Sequence, residues 1–339
     1  MKADFREMQY SEEQFPMVSV IVPVYGVGKY IEHCAVSLME QTLDGVEYIF
    51  VDDCSPDDSR TIIQDVLSRY PDRNARIVSH SENRGLPSAR NTGLGLAAGK
   101  YVFHCDGDDW VEPDMLEKMY DLAERERADI VYCDFYLSYE KNERYMSNLC
   151  LESADALLRQ GFLIGAVKYN VWNKLARRSL YTDNGIIFPD GHSMGEDMTM
   201  IRLTACADNV RYLPEALYHY VQTNSSAFSK TQSPKQLADI QYNVAEIVSF
   251  LREKYGDTLE DDIRNFKLSI KFPFLISDNA GQYKLWQEWY PEANVNVLSN
   301  RMLPMRSRIL QWMAARNLWF GVRIYYFLVY KVLYNLLYK

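Results

Sequence analysis

Short β-branched runs alternate with amphipathic stretches along the first part of the chain, and each change of pattern marks an element. The run Val18-Ser19-Val20-Ile21-Val22-Pro23-Val24-Tyr25 is short, apolar and closed by a proline, which predicts a strand. Gly26 and Gly28 then open a turn into a helix over residues 30–41. Residues 47–51 form a second such run, which stops at Asp52-Asp53-Cys54-Ser55-Pro56-Asp57-Asp58-Ser59. In that polar stretch Ser55, Asp57 and Asp58 are candidate caps for a helix over 59–69. Strands over 75–79, 101–105 and 128–134 and helices over 88–98 and 113–125 continue the alternation. This rhythm predicts an α/β fold with an open, mostly parallel sheet. Such sheets bind ligands beyond the carboxyl ends of their strands. The polar clusters at Tyr25, at Asp52-Asp53 and from Asp106 to Asp109 all fall at such ends, so they are expected to meet in one crevice.

After residue 151 the pattern changes. It predicts a helix over 153–161, a Trp172-Asn173-Lys174 segment, a Gly/Asp-rich loop over 190–197, a helix over 198–206 and a Tyr-rich strand over 216–221. A helical stretch is expected over 233–278.

Composition narrows the functional classes. The chain has 339 residues, 47% of them hydrophobic, which is enough for a large core. A net charge of −9 argues against nucleic acid as the main partner. No acid follows Glu292, whereas Arg301, Arg306, Arg308, Arg316, Arg323, Lys331 and Lys339 do, so an acidic body carries a basic tail. The cysteines at 34, 54, 105, 133, 150 and 206 form no C-x-x-C pair. Scattered thiols fit a reducing cytosol better than a disulfide framework or a zinc site. The charged, polar start from Met1 to Gln14 does not read as a signal peptide.

Asp106-Gly107-Asp108-Asp109 is the strongest chemical signal. Three carboxylates so close together at the end of a buried strand repel one another, a costly arrangement unless a cation neutralises them. All-oxygen ligands favour Mg²⁺ or Mn²⁺ over zinc. The alternative is an acidic turn that caps the helix beginning near Pro113, with Asp109 and Asp114 as caps. Asp52-Asp53 and Glu196-Asp197 each precede a helix as well, so helix capping is one reading of both pairs.

Four segments in order then carry a resemblance: the Val18 to Tyr25 run, Val51-Asp52-Asp53-Cys54-Ser55, Asn83-Arg84-Gly85-Leu86-Pro87-Ser88-Ala89-Arg90-Asn91-Thr92-Gly93, and Asp106-Gly107-Asp108-Asp109-Trp110. Together they resemble glycosyltransferase family 2, strongly from Val18 to about Asp134 and more weakly to about Ser229. The resemblance implies the GT-A fold, a Rossmann-like mixed sheet flanked by helices with a helical C-terminal extension. It implies an inverting transfer from a UDP-sugar with Mn²⁺ or Mg²⁺ as cofactor. Pro23 and Tyr25 would line the base pocket, Asp53 would accept the uracil imide N–H, and Asp52 would shape the turn. Asn83, Arg84 and Gly85 would form the loop beside base and diphosphate. Asp106 and Gly107 would belong to the donor site, Asp106 reaching the ribose or the metal's waters. Asp108 would be the direct metal ligand, and Asp109 would lie behind it or touch the sugar on the acceptor side. Arg90 either contacts the ligand or packs its stem on the sheet and pairs its head with a carboxylate.

Asp197 resembles the family's catalytic base and Glu196 its neighbour. Trp172-Asn173-Lys174-Leu175 looks like a segment of bacterial members that build capsule or exopolysaccharide. Trp172 either stacks on an acceptor sugar or belongs to the core, and His219 either meets the metal or is structural. The chain lacks a Gln-x-x-Arg-Trp element and long transmembrane runs around the catalytic core, which suggests addition of single sugars.

Residues 310–338 mix aromatic and aliphatic side chains with Arg316, Arg323 and Lys331. On one continuous helix these three cations would share a face. Such a helix reads as an interfacial anchor on an anionic cytoplasmic leaflet, or else as a core or homodimer helix. The expected organisation is an N-terminal extension (1–15), a catalytic domain (16–230, with a nucleotide half 16–135 and an acceptor half 136–230), a helical extension (231–300) and a basic tail (301–339). The expected setting is the inner face of the cell membrane, with a saccharide acceptor that is lipid-linked. A nucleotidyltransferase and a non-catalytic sugar-nucleotide-binding protein are the alternatives. The first would want a Gly-rich, basic loop after the first strand, where this chain has only Lys29.

Overall fold

The computed structural model describes residues 15–192, 195–224, 233–301 and 303–333. Strands β1 (Val18–Val24), β2 (Val46–Asp52), β3 (Asn74–Ser79) and β4 (Tyr101–His104) are parallel and lie in the order β3-β2-β1-β4. The remaining strands are β5 (Trp110–Val111), β6 (Ile130–Ser138), β7 (Glu143–Met146), β8 (Lys174–Arg177) and β9 (Val210–Val221). Beyond β4 the sheet continues β8-β6-β9-β5, with β7 hairpinned onto β6. Only β8 separates β4 from β6, antiparallel to both, and β9 runs parallel to β6. The sheet is therefore mixed, and the carboxyl ends of β1, β2, β4, β6 and β9 share one edge.

The α-helices are α1 (Ile31–Met39), α2 (Ser59–Arg69), α3 (Leu86–Leu96), α4 (Met115–Glu126), α5 (Ala154–Ala156), α6 (Arg178–Asp183), α7 (Glu196–Cys206), α8 (Pro234–Tyr255), α9 (Glu260–Lys271), α10 (Ala280–Glu288), α11 (Met305–Ala315) and α12 (Trp319–Tyr326). Strand alternation sorts the core into two layers. Val18, Val20, Val22 and Val24 join Tyr48, Phe50 and Phe103 against α1, α2 and α4. Ile21, Ile49, Val51 and Val102 face the other way, toward α3 and α7. Burial on both faces explains why these strands read as unbroken apolar runs.

Several boundaries differ from expectation. Helix α3 starts at Leu86, because Pro87 is at home in a first turn. Strands β6 and β9 are longer than expected, since they pair along most of their length. Strands β5, β7 and β8 are two to four residues long and escaped notice because so short a run carries no period. The helix expected over 153–161 is one α-helical turn that continues as a π-helix, Leu157–Phe162. The stretch over 233–278 divides into α8 and α9, and Val244, Ile247 and Phe266 from these helices pack into the same core as Ile201 of α7. The expected boundary at 230–231 lies outside the described residues.

The tail does not form one helix. Asn317 adopts φ 60°, the left-handed conformation that asparagine tolerates, and ends α11 before α12 begins. Arg316 is thereby separated from Arg323 and Lys331, so the three cations do not share a helix face as expected. Among the described residues, no helix is long and apolar enough to cross a membrane.

Candidate active site

The ends of β1, β2 and β4 meet as their register dictates. Val24 O accepts Asp53 N at 2.9 Å on the β2 side, and Ile21 O accepts Cys105 N at 3.0 Å on the β4 side. Odd positions of β1 thus bond toward β4, whose pairing with β1 ends at Ile21 and His104. The missing N–H of Pro23 falls just past that end, which is how a proline fits a central strand. Tyr25 follows, half-exposed at the mouth of the crevice.

Asp52 and Asp53 do not cap α2. Asp57 does so, its Oδ1 accepting Ser59 N at 3.2 Å. Asp52 Oδ1 accepts Ser55 N at 3.0 Å within the turn. Asp53 is buried and holds the next loop: Oδ1 accepts Arg84 N at 2.8 Å and Oδ2 accepts Gly85 N at 2.7 Å. His80 braces the same carboxylate, Nδ1 lying 2.6 Å from Oδ1 and Nε2 2.9 Å from Thr92 Oγ1. Gly85 has φ 89°, a conformation that favours glycine, and turns the loop into α3. Arg84 and Gly85, with Asn83 next to them in the chain, are in this way brought to Asp53.

The three aspartates of the acidic turn have different surroundings. Asp109 is buried, with Tyr218 Oη donating to Oδ2 at 2.7 Å and Val221 N to Oδ1 at 2.8 Å. Burial, then the charges of Asp108 and Asp106, hold its carboxyl well above the usual range. Asp108 Oδ2 accepts Asn224 Nδ2 at 2.8 Å. Burial and the neighbouring Asp106 charge raise its pKa as well. Asp106 Oδ1 accepts Arg90 Nη2 at 2.8 Å. Gly107 sits so close to β1 that a Cβ there would lie 3.1 Å from Pro23 O, which keeps the turn tucked against the strand.

No three His, Cys, Asp or Glu side chains converge as a ready-made metal cage among the described residues. The turn instead offers two partly exposed carboxylates, Asp106 and Asp108, crowded enough to raise the pKa of the second. Mg²⁺-type ions are commonly held by one or two carboxylates, with waters and substrate phosphates completing the shell. The donor set fits that mode.

Arg90 joins this turn to α7. It is almost fully buried, and it donates to Glu196 Oε1 from Nη1 at 2.7 Å while Nη2 holds Asp106. Burial alone would lower its pKa, but the charges of Glu196 and Asp106 outweigh it and hold the guanidinium above its ordinary range. The loop before α7 is fastened on both sides. Asn91 exchanges two 2.9 Å hydrogen bonds with the Phe188 backbone, and Ser88 Oγ donates to Asp190. His192 stacks on Tyr242 and lies 3.0 Å from Asp239. Ser193 and Met194 of the expected loop fall outside the described residues. At the start of α7, Asp197 is 8% exposed and accepts Met198 N at 2.8 Å. Burial, with the Glu196 charge adding, pushes its carboxyl up to about 7.

Three expected contacts are not made. His219 does not reach the acidic turn: Nδ1 lies 2.7 Å from Glu143 Oε1 and Nε2 3.0 Å from Glu112 Oε1, and the ring stacks on Trp110. The reason is strand parity, which sends Tyr218 toward Asp109 and His219 to the opposite face. Trp172 is core, stacked on Tyr218 at 4.3 Å and edge-on to Phe135, so it is not free to meet a sugar. Asp109 is buried with both carboxylate oxygens bonded to β9, which withdraws it from the surface an acceptor could reach and leaves the reading in which it lies behind Asp108, and it does not cap α4. Sequence reasoning missed the two tyrosines beside His219. Tyr218 Oη also accepts Asp106 N at 3.1 Å. Tyr220 is half-buried, shares the face of β9 with Tyr218 and lies 5.2 Å from the Trp172 ring; its phenol is raised by burial and then by the charges of Asp109, Asp106, Asp108 and Glu196. The Tyr-His-Tyr alternation was visible, but which parity faced inward was not.

The model of Glycosyl transferase family 2 matches residues 19–198 of this chain, more than half its length. The chain belongs to glycosyltransferase family 2. It is 32% identical over 276 residues to the uncharacterized glycosyltransferase EpsJ of Bacillus subtilis, covering 78% of each chain. It is also 32% identical over 305 residues to the cholesterol galactosyltransferase of Borreliella burgdorferi, covering 83% of this chain and 82% of that one. In fold, this glycosyltransferase is similar to S. aureus TarS solved with UDP-GlcNAc, with a TM-score of 0.69, 18% identity, and coverage of 93% of this chain and 91% of that one. The mixed sheet with flanking helices is the GT-A fold, as expected from the sequence.

Proposed function

We propose that this glycosyltransferase moves a single sugar from a UDP-sugar to a hydroxyl of a lipid-linked saccharide, with inversion, in bacterial surface polysaccharide synthesis at the inner face of the cell membrane. The observation that carries the reading is Arg90, which bridges Asp106 of the acidic turn and Glu196 beside Asp197. One guanidinium thereby sets a donor site and a base site at a fixed separation.

On the donor side, Pro23 and Tyr25 flank the base, and Asp53 accepts from it while holding Asn83, Arg84 and Gly85 against the diphosphate. Each carboxylate oxygen has two lone pairs, and Oδ2 of Asp53 uses one for Gly85 N. Asp106 and Asp108 would hold a divalent cation, which when bound supplies neutralising charge for the departing diphosphate. On the acceptor side, Asp197 takes the proton of the attacking hydroxyl. A carboxylate with its pKa near 7 is basic enough to do so and still largely ionised just above neutrality. Tyr220, on the same face of β9 as Tyr218, would border the transferred sugar. A UDP-sugar donor is supported by the UDP-GlcNAc in the TarS structure, and a lipid acceptor by the relative named for cholesterol.

A panel of UDP-sugars tests this reading, scored by Mn²⁺-dependent hydrolysis and by thermal stabilisation. One UDP-sugar should raise the melting temperature and be hydrolysed. If none stabilises the protein in the presence of Mn²⁺, the donor assignment fails. Asp197→Asn separates catalysis from mere sugar-nucleotide binding, because a binding protein would tolerate it.

A further inference from the structure

Helix α12 turns two unlike faces outward and inward. Val322 is fully buried, and Trp319 and Tyr325 pack beside it against the cluster of Trp286 and Leu310. On the opposite side Phe320 is 80% exposed, Ile324 43%, Phe327 58% and Leu328 54%. These positions recur at i, i+4, i+7 and i+8, the spacing of one helix face. An apolar stripe of this kind in water needs a partner.

Charge says which partner. From residue 293 to the end the chain carries seven cations and no acid. Arg323 and Lys331 fall on the same side as the stripe by helical spacing. Lys331 lies 3.9 Å from Asp278 and 5.8 Å from the Tyr326 ring with its side chain 52% exposed, and Arg323 lies 6.0 Å from the Tyr283 ring. A second copy of the chain would bring this cationic face against its like, which is repulsive. A layer of anionic headgroups over hydrocarbon satisfies both the cations and the apolar side chains.

We propose that the outward face of α12 and its continuation, Phe327–Leu333, is a membrane-binding surface that requires anionic phospholipid. Its purpose, bringing the active site to a lipid-linked acceptor, rests on the function proposed above, whereas the surface itself does not.

The test is cosedimentation of the full chain with vesicles of phosphatidylcholine, alone or mixed with phosphatidylglycerol. Wild type should pellet with the mixed vesicles and less so as salt rises. The Phe320→Glu, Phe327→Glu double variant should remain in the supernatant. Arg323→Gln and Lys331→Gln should each weaken binding by about fivefold. All these side chains are at the surface, so metal-dependent UDP-sugar hydrolysis in solution should match wild type. If wild type pellets but hydrolyses nothing, the catalytic reading falls and the membrane surface stands. The inference is overturned if wild type stays in the supernatant with both vesicle types, or if the variants pellet as wild type does. It is also overturned if light scattering shows that Phe320→Glu splits a dimer and no vesicle binding accompanies it.

Discussion

The turn Asp106-Gly107-Asp108-Asp109 and the pair Glu196-Asp197 are both acidic, both border a secondary-structure element and both touch Arg90, yet their surroundings differ. In the first, β9 withdraws Asp109 through Tyr218 and Val221, leaving Asp108 with an amide partner and a like-charged neighbour. In the second, Arg90 takes Glu196 and leaves Asp197 buried with a backbone N–H. Crowding of negative charge adds to burial at Asp108, a condition that a cation relieves. Burial dominates at Asp197, a condition that a proton relieves. On the function proposed above, neighbours that look alike in sequence would be divided between metal holding and proton transfer by the partners each is given.

The comparison breaks most visibly in turnover. Asp197→Asn should lower kcat by about 10² to 10⁴-fold while calorimetric affinity for the UDP-sugar and for Mn²⁺ stays as in wild type. Asp108→Ala should lower metal-dependent turnover by about a hundredfold or more and weaken Mn²⁺ binding itself. If Asp197→Asn also loses metal affinity, the two groups form one site and the division is wrong.

The pH dependence sharpens the same point. The base must be ionised, so kcat should rise with pH and level off above about 7, and Asp197→Asn should erase that limb. Stability should run the other way. The folded state binds this proton more tightly than the unfolded chain, so the contribution of Asp197 to stability falls as pH rises from about 4 through 7. Asp197→Asn should therefore melt higher than wild type at pH 8, with the gap closing below pH 4. An enzyme that loses turnover and gains stability would separate a catalytic base from a helix cap.

Arg90→Ala probes the link between the two groups. It leaves two carboxylates without their buried cation and should cost about 3–5 kcal/mol in chemical denaturation. Tyr218→Phe removes the hydroxyl between Asp106 N and Asp109, and should cost about 1–3 kcal/mol with a smaller effect on kcat. The smallest effect is expected at His219→Gln, about 1 kcal/mol in stability with Mn²⁺ affinity unchanged. A large loss of metal affinity there would return His219 to the metal site and contradict the parity of β9.

The parts of the site that could be read from the sequence lie at the ends of long apolar strands. Pro23, Asp53 and the acidic turn were placed in one crevice because parallel strands with short connections leave little choice about where their ends go. His219 and Trp172 were harder. Trp172 lies just before the short antiparallel β8, and His219 lies on the end of β9 that pairs with the two-residue β5, where a shift of one residue exchanges the two faces of the sheet. Arg90 was open to two readings because its second partner, Glu196, lies 106 residues further along the chain and only the fold brings it near.

Local pattern by itself determined the alternation of strands and helices, the edge on which the polar clusters gather, and the carboxylates available there, because these follow from burial and chain direction within a few residues. The tertiary structure decided which carboxylate is free. That choice depends on the parity of β9, on the reach of one buried guanidinium and on the depth of burial at α7, and each of these is set by contacts between segments distant in sequence.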